Sequence, residues 1–395
     1  MNFSHKLDAF EASIFTELLE AKLALKAKGM DTIDLSIGTP DLPPPEHVMR
    51  AIAEGAMKPE NYVYAVKDRP QLLDTVAAWY KRRFGVELEA ATQIVSLLGS
   101  QDGLAHLSMA LCDPGDVVLV PGPSYPIFAD GPKLNGCDVH YMAQPAENGY
   151  VIDFDLIDPQ LADRAKLMVV SYPNNPVASV ADAAFYEKLV AFAKKHDIAV
   201  LHDNAYSDLT FDDYTCGSFL QTPGAMDVGI EFNSLSKTYS MAGARIGFAL
   251  GNKEMIKRLK SLKSNIDFGA FIPVQLGAEA ALNGPQDYLK FMRGTYQRRR
   301  DVLIDGLNEA GWQIRKPKAT MFVWAKLPEG YTDSRAFAYE LMERTGVICV
   351  PGTAFGPDGE GHVRMALVAS EEKMREVVRR IASSGMLRGG KAGAQ

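Results

Sequence analysis

This chain of 395 residues contains few cysteines and has no excess of positive charge. Its four cysteines lie far apart and none stands in a C-x-x-C pair, so the sequence favours neither a zinc site nor a disulfide framework. The formal net charge of -7 has the wrong sign for a protein that holds nucleic acid with clustered lysine and arginine. The basic stretch at residues 298–300 is typical of a solvated helix face. We therefore expect no bound metal and no nucleic-acid partner.

Long apolar runs are also missing. No stretch approaches the roughly 20 residues that a membrane-spanning helix needs. The charged N-terminus, residues 1–28, has neither the apolar run nor the small-residue cleavage site of a signal peptide. The sequence therefore predicts a soluble, cytoplasmic protein with no membrane partner. The Walker A, G-x-G-x-x-G, H-E-x-x-H and G-x-S-x-G motifs are absent too, which removes common nucleotide-binding, zinc-protease and hydrolase interpretations.

Short apolar runs, rich in β-forming residues, alternate with helix-length segments through the middle of the chain. Runs without alternating polarity are typical of strands that are buried on both faces of a mostly parallel sheet. The predicted strands are residues 116–120, 167–171, 198–202, 229–233 and 246–250. The predicted helices between them include residues 101–111, 183–196 and 254–263. The predicted fold class is therefore α/β, with a mostly parallel central sheet flanked by helices.

The pattern changes after Gly284 and Pro285. A charged helical stretch at 288–310, strand-like pieces at 321–325 and 362–367, and a last helix at 371–383 predict a smaller α+β domain. The predicted organisation is an N-terminal arm that also contributes to the small domain (1–45), a large α/β domain (46–284), a small C-terminal domain (285–387) and a disordered tail (388–395).

Polar motifs follow three of the predicted strands, at the edge where parallel sheets bind ligands. They are Ser171-Tyr-Pro-Asn-Asn-Pro176, Asp203-Asn-Ala-Tyr206 and Ser234-Leu-Ser-Lys-Thr238, with Gly243-Ala-Arg-Ile-Gly247 close behind. Together they resemble the pyridoxal-phosphate aminotransferases of fold type I, class I/II. The resemblance covers nearly the whole chain and includes Ile37-Gly-Thr-Pro-Asp41, Gly99-Ser-Gln-Asp-Gly103, Pro123-Ser-Tyr-Pro126 and Val363-Arg-Met365. Within that family the chain is most similar to bacterial branches that include LL-diaminopimelate, alanine and methionine aminotransferases.

The resemblance implies a catalytic set of Lys237, Asp203 and Tyr206. Lys237 matches the lysine that carries pyridoxal phosphate as a Schiff base and then acts as general acid and base. Its amine must be neutral near pH 7 although a free lysine titrates at about 10.4, and burial beside positive charge would supply that shift. Asp203 matches the aspartate that keeps the pyridine nitrogen protonated, and Tyr206 and Asn175 match residues that hydrogen-bond the ring oxygen. Taken singly, these residues also fit a surface lysine, a helix cap, a core tyrosine and a turn asparagine.

The same resemblance implies where the cofactor phosphate and ring are held. Ser234 and Arg245 match phosphate-binding residues by position, and Ser100 and Gln101 stand where a loop opens a helix whose N-terminal amides favour an anion. A helix cap is the alternative for Ser100. Tyr125 matches the aromatic residue that stacks on the cofactor ring, and a core aromatic in a proline-rich turn is the alternative.

Arg364 matches the arginine that holds the substrate α-carboxylate through a bidentate fork, with Gly38 and Asn175 as the other predicted substrate contacts. A surface ion pair is the alternative for Arg364. The family also implies a homodimer whose active sites are completed across the interface.

The stretch from Tyr62 to Leu73 departs from the family pattern, because the glycine and the final arginine usual there are absent. Either Tyr62 or Tyr64 is expected to reach the phosphate of the neighbouring subunit, and the spacing favours Tyr64. We also hypothesise that Lys67 or Arg69 contacts a distal carboxylate of the substrate across the dimer; a solvated loop charge is the alternative.

The predicted function is amino transfer between an L-amino acid and a 2-oxo acid in two half-reactions that share one site. One alternative keeps the cofactor but catalyses elimination or decarboxylation, which product analysis would distinguish. The other is a non-catalytic cofactor-binding protein. Regulators of this fold carry a DNA-binding domain in front of it, and the segment before residue 45 is too short and too weakly basic for one.

Overall fold

Strands and helices alternate along most of the chain. The computed structural model describes residues 1–8, 10 and 14–387, and the tail predicted at 388–395 lies outside them. In chain order the strands are β1 (Ile33–Asp34), β2 (Ile94–Leu97), β3 (Val117–Gly122), β4 (Asp138–Ala143), β5 (Ala165–Ser171), β6 (Ala199–Asp203), β7 (Gly229–Ser234), β8 (Gly247–Gly251), β9 (Phe322–Lys326), β10 (Val347–Ile348), β11 (Val350–Pro351) and β12 (His362–Ala366). The helices are α1 (Ile14–Ala27), α2 (Glu46–Ala56), α3 (Pro70–Phe84), α4 (Ala90–Gln93), α5 (Ser100–Leu111), α6 (Ile127–Leu134), α7 (Pro159–Ala162), α8 (Ala183–His196), α9 (Ala225–Val228), α10 (Leu235–Thr238), α11 (Lys253–Ile266), α12 (Ile272–Asn283), α13 (Asp287–Glu309), α14 (Ser334–Thr345) and α15 (Glu371–Ser383).

The central sheet has seven strands in the order β2-β8-β7-β6-β5-β3-β4. β8 runs antiparallel to both of its neighbours, and the other six strands share one direction. The predicted α/β fold with a mostly parallel sheet is therefore confirmed. The five predicted strands correspond to β3, β5, β6, β7 and β8. Because β5, β6 and β7 are parallel neighbours, the polar motifs that follow them lie at the same edge of the sheet.

Helices cover both faces of this sheet. Leu201 of β6 belongs to the core that includes residues of α5 and α11 on one face, and Val200 belongs to the core that includes residues of α3 and α8 on the other. Each fully buried side chain of this kind contributes roughly 1.5–3 kcal/mol to folding. Successive residues of a strand point to opposite faces, so His202 lies on the α3 and α8 face and Asp203 on the α5 and α11 face.

The C-terminal part is built around a second sheet, in which β11, β12 and β9 pair antiparallel in that order. β1 pairs in parallel with β10, so the N-terminal segment is hydrogen-bonded to the C-terminal part. The predicted helix at 371–383 is α15, and the predicted helix at 288–310 is α13 shifted by one residue. The domain bounds at residues 45, 284 and 387 stay a prediction.

The sequence pattern does not predict β2, β4 or α12. β4 is the edge strand of the central sheet, and most of its side chains are exposed or half-buried, so it lacks a continuous apolar run. α12 packs against α2 and α3, where small residues such as Gly277 allow close approach to Ile52. Among the helices of residues 14–387, none combines the length and the apolar composition that crossing a bilayer requires.

Candidate active site

A cavity of about 500 Å³ lies at the carboxyl ends of β5, β6 and β7. It is lined by all the predicted site residues except Tyr64, namely Gly38, Ser100, Gln101, Tyr125, Asn175, Asp203, Tyr206, Ser234, Lys237, Arg245 and Arg364. A larger groove of about 1000 Å³, between residues 148–155 and 315–318, contains none of them. We identify the smaller cavity as the candidate active site because a lysine, a buried carboxyl group and a buried arginine meet in it.

Lys237 lies on α10, the short helix that follows β7, and its Nζ donates to the carbonyl oxygen of Gly38 at 2.5 Å. Ser234 ends β7 and its side chain caps the first turn of α10. Burial, and after it the charges of Arg364 and Arg245, lower the pKa of Lys237 to about 8. A sizeable fraction of the amine is therefore neutral slightly above pH 7, as a nucleophile or a base requires.

Asp203 ends β6, beside Ser171 of β5. Its carboxyl group is buried and accepts a long hydrogen bond from the backbone N of Ala205 at 3.3 Å. Burial raises the pKa of Asp203 to about 6, and the charge of His202 opposes that rise. At pH 7 the carboxyl group is therefore mostly ionised while only weakly hydrogen-bonded, a state that suits a positively charged ligand group.

The loop before α5 and the side chain of Arg245 lie together at the cavity. Arg245 donates from Nη2 to the carbonyl oxygen of Leu98 at 3.0 Å. Gly99 has a φ of 80°, a left-handed conformation that favours glycine, and a Cβ at this position would displace the guanidinium of Arg245. Gly99 is the N-cap residue and Ser100 the first helical residue, so Ser100 is not the cap. The first amides of α5 and the guanidinium together suit a phosphate group.

Arg364 of β12 is 2% exposed, which excludes the surface ion pair that was the alternative for it. Its Nη1 donates to the amide oxygen of Asn175 at 2.9 Å and its Nη2 to the carbonyl oxygen of Ser36 at 2.6 Å. Its Nε is buried and has no partner within the described part of the chain. Burial lowers the pKa of Arg364 to about 10, so the guanidinium remains charged at pH 7. A buried cation at the wall of a cavity suits a carboxylate ligand.

Two tyrosines contribute aromatic rings to the cavity. The hydroxyl of Tyr125 donates to Oε1 of Gln101 at 3.1 Å. Tyr206 packs against Phe322, with ring centroids 5.7 Å apart. Burial raises the pKa of both hydroxyls, so both keep their protons at neutral pH and are able to donate hydrogen bonds. The stacking role of Tyr125 stays a prediction.

The residues that sequence reasoning missed at the Arg364 end of the site include Ser36, Phe322 and Phe15. Ser36 supplies a carbonyl oxygen just before the predicted Ile37-Gly-Thr motif. The Phe322 ring centroid lies 4.1 Å from the guanidinium carbon of Arg364, and that of Phe15 in α1 lies 5.9 Å from it. The motif offered a signal for Ser36. Nothing in the local sequence identifies the two phenylalanines, because their place depends on how β9 and α1 pack.

Tyr64 does not line the cavity of its own chain and is 83% exposed. The hydroxyl of Tyr62 donates to the carbonyl oxygen of Ala56 at 2.8 Å. Arg69 donates from Nε to Glu279 at 2.9 Å in the same chain, which leaves Lys67 as the exposed cation of this loop. Tyr64 therefore does not contact a ligand in the cavity of its own chain, and its expected contact across a subunit interface stays a prediction.

The chain matches the family described as aminotransferase class I and II over residues 30–381. It is 46% identical over 365 residues to the LL-diaminopimelate aminotransferase of Moorella thermoacetica, a match that covers 92% of this chain and 93% of that protein. The protein of the same name from Dehalococcoides mccartyi is 41% identical over 384 residues, covering 97% and 99%. Among solved structures, substrate-bound BacF from Bacillus subtilis matches with a TM-score of 0.95 and 36% identity, covering 99% of this chain and 100% of that one.

Proposed function

Because the chain belongs to the class I and II aminotransferases, and is thus a pyridoxal-phosphate-dependent aminotransferase, we propose that LL-diaminopimelate is its amino donor. The observation that carries the activity is the meeting of Lys237, Asp203 and Arg364 in one cavity, with the lysine pKa lowered to about 8. The choice of donor is supported by relatives named LL-diaminopimelate aminotransferase, whose alignments cover more than nine-tenths of this chain.

The residues of the cavity fit pyridoxal phosphate by their own chemistry. The guanidinium of Arg245 and the first amides of α5 suit a phosphate dianion, and the glycine before α5 leaves room for that guanidinium. Asp203 offers a buried carboxylate whose one backbone hydrogen bond is long. Such a carboxylate suits the protonated nitrogen of a pyridine ring. When bound, pyridoxal phosphate supplies an aldehyde that takes up an amino group and a ring that accepts electron density.

In the proposed mechanism the protein's own side chains orient the substrate and move one proton. Arg364 holds the α-carboxylate of the amino acid, with Asn175 fixing the guanidinium. Lys237 takes the proton from the substrate Cα, a step that needs the neutral amine which its lowered pKa provides. Asp203 would hold a proton on the ring nitrogen of the bound cofactor, and the Tyr206 hydroxyl, which keeps its own proton, would donate a hydrogen bond to the ring oxygen. The amino group would stay with the cofactor while water supplies the carbonyl oxygen of the departing keto acid, and Arg364 would then bind a second 2-oxo acid for the reverse steps.

We also propose that the protein is a homodimer in which Tyr64 reaches the neighbouring cavity. Tyr62, Val63, Tyr64 and Val66 are exposed apolar side chains in one short loop, and the Tyr64 ring lies 5.9 Å from that of Phe268 between centroids. An exposed apolar patch of this kind is typical of a subunit interface. We propose further that Lys67, an exposed residue of the same loop, contacts the second carboxylate of LL-diaminopimelate across this interface.

A cytoplasmic location is proposed on the state of the cysteines. All four are free and buried, and nothing in the fold requires an oxidising compartment.

The proposal is tested by mixing the loaded enzyme with single amino acids and following its absorbance spectrum and the keto acid formed. L-Lysine is the matched control, because it differs from diaminopimelate by one carboxylate. We expect kcat/KM for LL-diaminopimelate to exceed that for L-lysine by at least about 100-fold, the usual cost of an unpaired charge in a binding site. Equal turnover of both, or preference for another donor, would contradict the substrate assignment. Ammonia release without a keto-acid acceptor would instead point to the lyase alternative.

A further inference from the structure

His202 is a fully buried histidine on the face of the central sheet that points away from the cavity. It precedes Asp203 on β6 and contacts Tyr186 of α8, with their ring centroids 5.2 Å apart. The mechanism proposed above gives it no part. A buried titratable ring in a core that is otherwise largely apolar calls for a physical explanation.

Both ring nitrogens of His202 face groups that accept hydrogen bonds. Nδ1 lies 2.8 Å from Oε2 of Glu231, and Nε2 lies 3.1 Å from the carbonyl oxygen of Tyr172. A carboxylate and a carbonyl oxygen can only accept, so each nitrogen must carry a proton to satisfy its contact. An imidazole with protons on both nitrogens is positively charged.

Glu231 is the anion that such a cation needs. Its carboxylate also accepts hydrogen bonds from the hydroxyl of Tyr80, the hydroxyl of Ser218 and the backbone N of Phe219, each at 2.8 Å. Four donors, counting His202, satisfy a carboxylate and stabilise its ionised form. Geometry alone therefore describes His202 and Glu231 as a buried ion pair.

The contact with Tyr186 would instead allow the His202 ring to be neutral. Its hydroxyl lies 3.1 Å from Nε2 and would donate to that nitrogen if the ring were neutral. In that state the lone pair of Nε2 would also face the carbonyl oxygen of Tyr172, which is an unfavourable contact. Glu231 and Asp203 would then be two buried carboxyl groups on neighbouring strands without this cation between them.

We propose that His202 is a positioning residue that is held as a cation by Glu231 and keeps the Asp203 carboxyl group ionised from the opposite face of β6. This inference rests on the cofactor role proposed above for Asp203. Asp203 needs such support because its carboxyl group is buried and its hydrogen bond from Ala205 is long. The charge of His202 is the largest of the influences that lower the pKa of Asp203 against the rise caused by burial.

The phenol and thiol groups on this face of β6 do not supply a competing charge. Burial raises the pKa of each above its ordinary value, so that they are neutral at pH 7: Tyr80, Tyr172, Tyr186 and Cys216. Arg83 and Asp208 are also charged and lie near Tyr80 and Cys216, but they pair with each other at 3.1 Å. The charges from this side that act most strongly on Asp203 are those of His202 and Glu231.

The test is a titration of the cofactor-free apoprotein with pyridoxal phosphate between pH 6.5 and 9, using His202→Gln and, as a matched control, Tyr186→Phe. Glutamine keeps hydrogen-bonding capacity but removes the charge. We expect His202→Gln to raise the Kd for pyridoxal phosphate most at pH 6.5, because a higher Asp203 pKa leaves less of the carboxyl group ionised there; each unit by which that pKa lies above the pH of the titration weakens binding about tenfold. The difference in Kd between His202→Gln and the unmodified protein should shrink toward pH 9, where Asp203 is ionised even without the charge of His202. Tyr186→Phe should bind like the unmodified protein at every pH.

Two outcomes of this titration would overturn the inference. A loss in His202→Gln that is the same at every pH would show a structural role only. An equal, pH-dependent loss of affinity in Tyr186→Phe would show that the His202 ring is neutral and accepts a hydrogen bond from the tyrosine.

Asp203→Asn in the same titration separates this inference from the proposed role of Asp203. If Asp203→Asn binds normally, the role of Asp203 itself fails; if it binds weakly while His202→Gln does not, only the present inference fails.

A second measurement keeps the inference testable if His202→Gln does not fold. The intact loaded enzyme, with its seven histidines labelled with ¹⁵N, is studied by NMR at neutral pH. We expect one ring with protons on both nitrogens whose signals change in Tyr186→Phe, because that hydroxyl borders Nε2. A His202 ring with one unprotonated nitrogen would refute the charged state.

Discussion

The guanidinium of Arg364 donates to the amide oxygen of Asn175 at 2.9 Å, and this contact joins β12 of the C-terminal sheet to the loop after β5 of the central sheet. The two nitrogens of the fork have separate partners, since Nη2 donates to the carbonyl oxygen of Ser36. A substrate carboxylate must therefore meet a guanidinium whose orientation is already set by both sheets. Pre-orientation of this kind lowers the entropy lost on binding.

Replacing Arg364 by lysine should raise KM for both substrates about 100-fold or more, because an ammonium group cannot serve both fixed partners and the substrate carboxylate. Steady-state kinetics with the amino donor and with the 2-oxo acid measure the effect in each half-reaction. Arg344→Lys is the control, since Arg344 forms an exposed ion pair with Glu340 on α14. An unchanged KM in Arg364→Lys would remove this residue from the proposed substrate site.

Replacing Lys237 by alanine should reduce kcat at least about 10⁴-fold, the upper range for loss of a general acid and base. The visible absorbance of the loaded protein should be lost as well, because Lys237 is the one lysine among the described residues that line the cavity. Lys260→Ala is a matched control: burial lowers the pKa of Lys260 too, but its Nζ donates to the carbonyl oxygen of Ala91 outside the cavity. Full activity in Lys237→Ala would contradict the mechanism.

The rate at which the apoprotein takes up pyridoxal phosphate covalently should rise with pH and level off above about pH 8. The pKa of Lys237 is lowered to about 8, so its neutral fraction changes roughly tenfold for each pH unit below that value. Stopped-flow absorbance with saturating pyridoxal phosphate gives the profile. A midpoint near that of an ordinary lysine would mean that burial does not tune this amine.

Replacing Asp203 by asparagine should stabilise the apoprotein at pH 8 by about 3 kcal/mol, the equivalent of a pKa raised from 3.8 to about 6. A raised carboxyl pKa means that the folded state binds the proton more tightly, so the destabilisation caused by the buried carboxylate is complete above pH 6. This destabilisation decreases as the pH falls toward 3.8, and most of the difference in free energy of unfolding between the two proteins should be gone at pH 4. Urea unfolding of both apoproteins at the two pH values checks the sign.

An exposed carboxylate provides the control for that experiment. Asp213→Asn should change the free energy of unfolding by no more than about 0.5 kcal/mol at either pH. If Asp203→Asn were instead less stable than the unmodified apoprotein at pH 8, the carboxylate would have an unrecognised partner in the fold.

Subunits that carry Tyr64→Ala and subunits that carry Lys237→Ala should each be nearly inactive alone and should regain about a quarter of full activity when co-assembled in equal amounts. Half of the dimers are then mixed, and each mixed dimer has one intact site if Tyr64 acts across the interface. Mixing Lys237→Ala with Asp203→Ala subunits should restore nothing, because both residues line the cavity of one chain. Absence of recovery in the first mixture would contradict the proposed dimer contact.

Local sequence patterns were sufficient to predict most strands of the central sheet and to identify the polar motifs at its edge. β5, β6 and β7 are short apolar runs that are buried along nearly their whole length, and burial on both faces is what makes such a run recognisable. The polar residues that follow them, such as Asp203 and Lys237, could then be assigned to one edge, because parallel neighbouring strands end together. A half-exposed edge strand such as β4 carries no such pattern and was missed for that reason.

The tertiary structure alone decided which side chains meet across these elements. The packing of Phe322 on Arg364 depends on the pairing of β9 with β12, and the contact of Ser36 depends on the pairing of β1 with β10. The ion pair of His202 with Glu231 joins residues 29 positions apart through strand register. The sequence thus determined the chemical types present at the edge of the sheet. Their distances, burial and charge states were determined by long-range packing, because hydrogen-bond partners and desolvation are properties of the folded chain and not of any local segment.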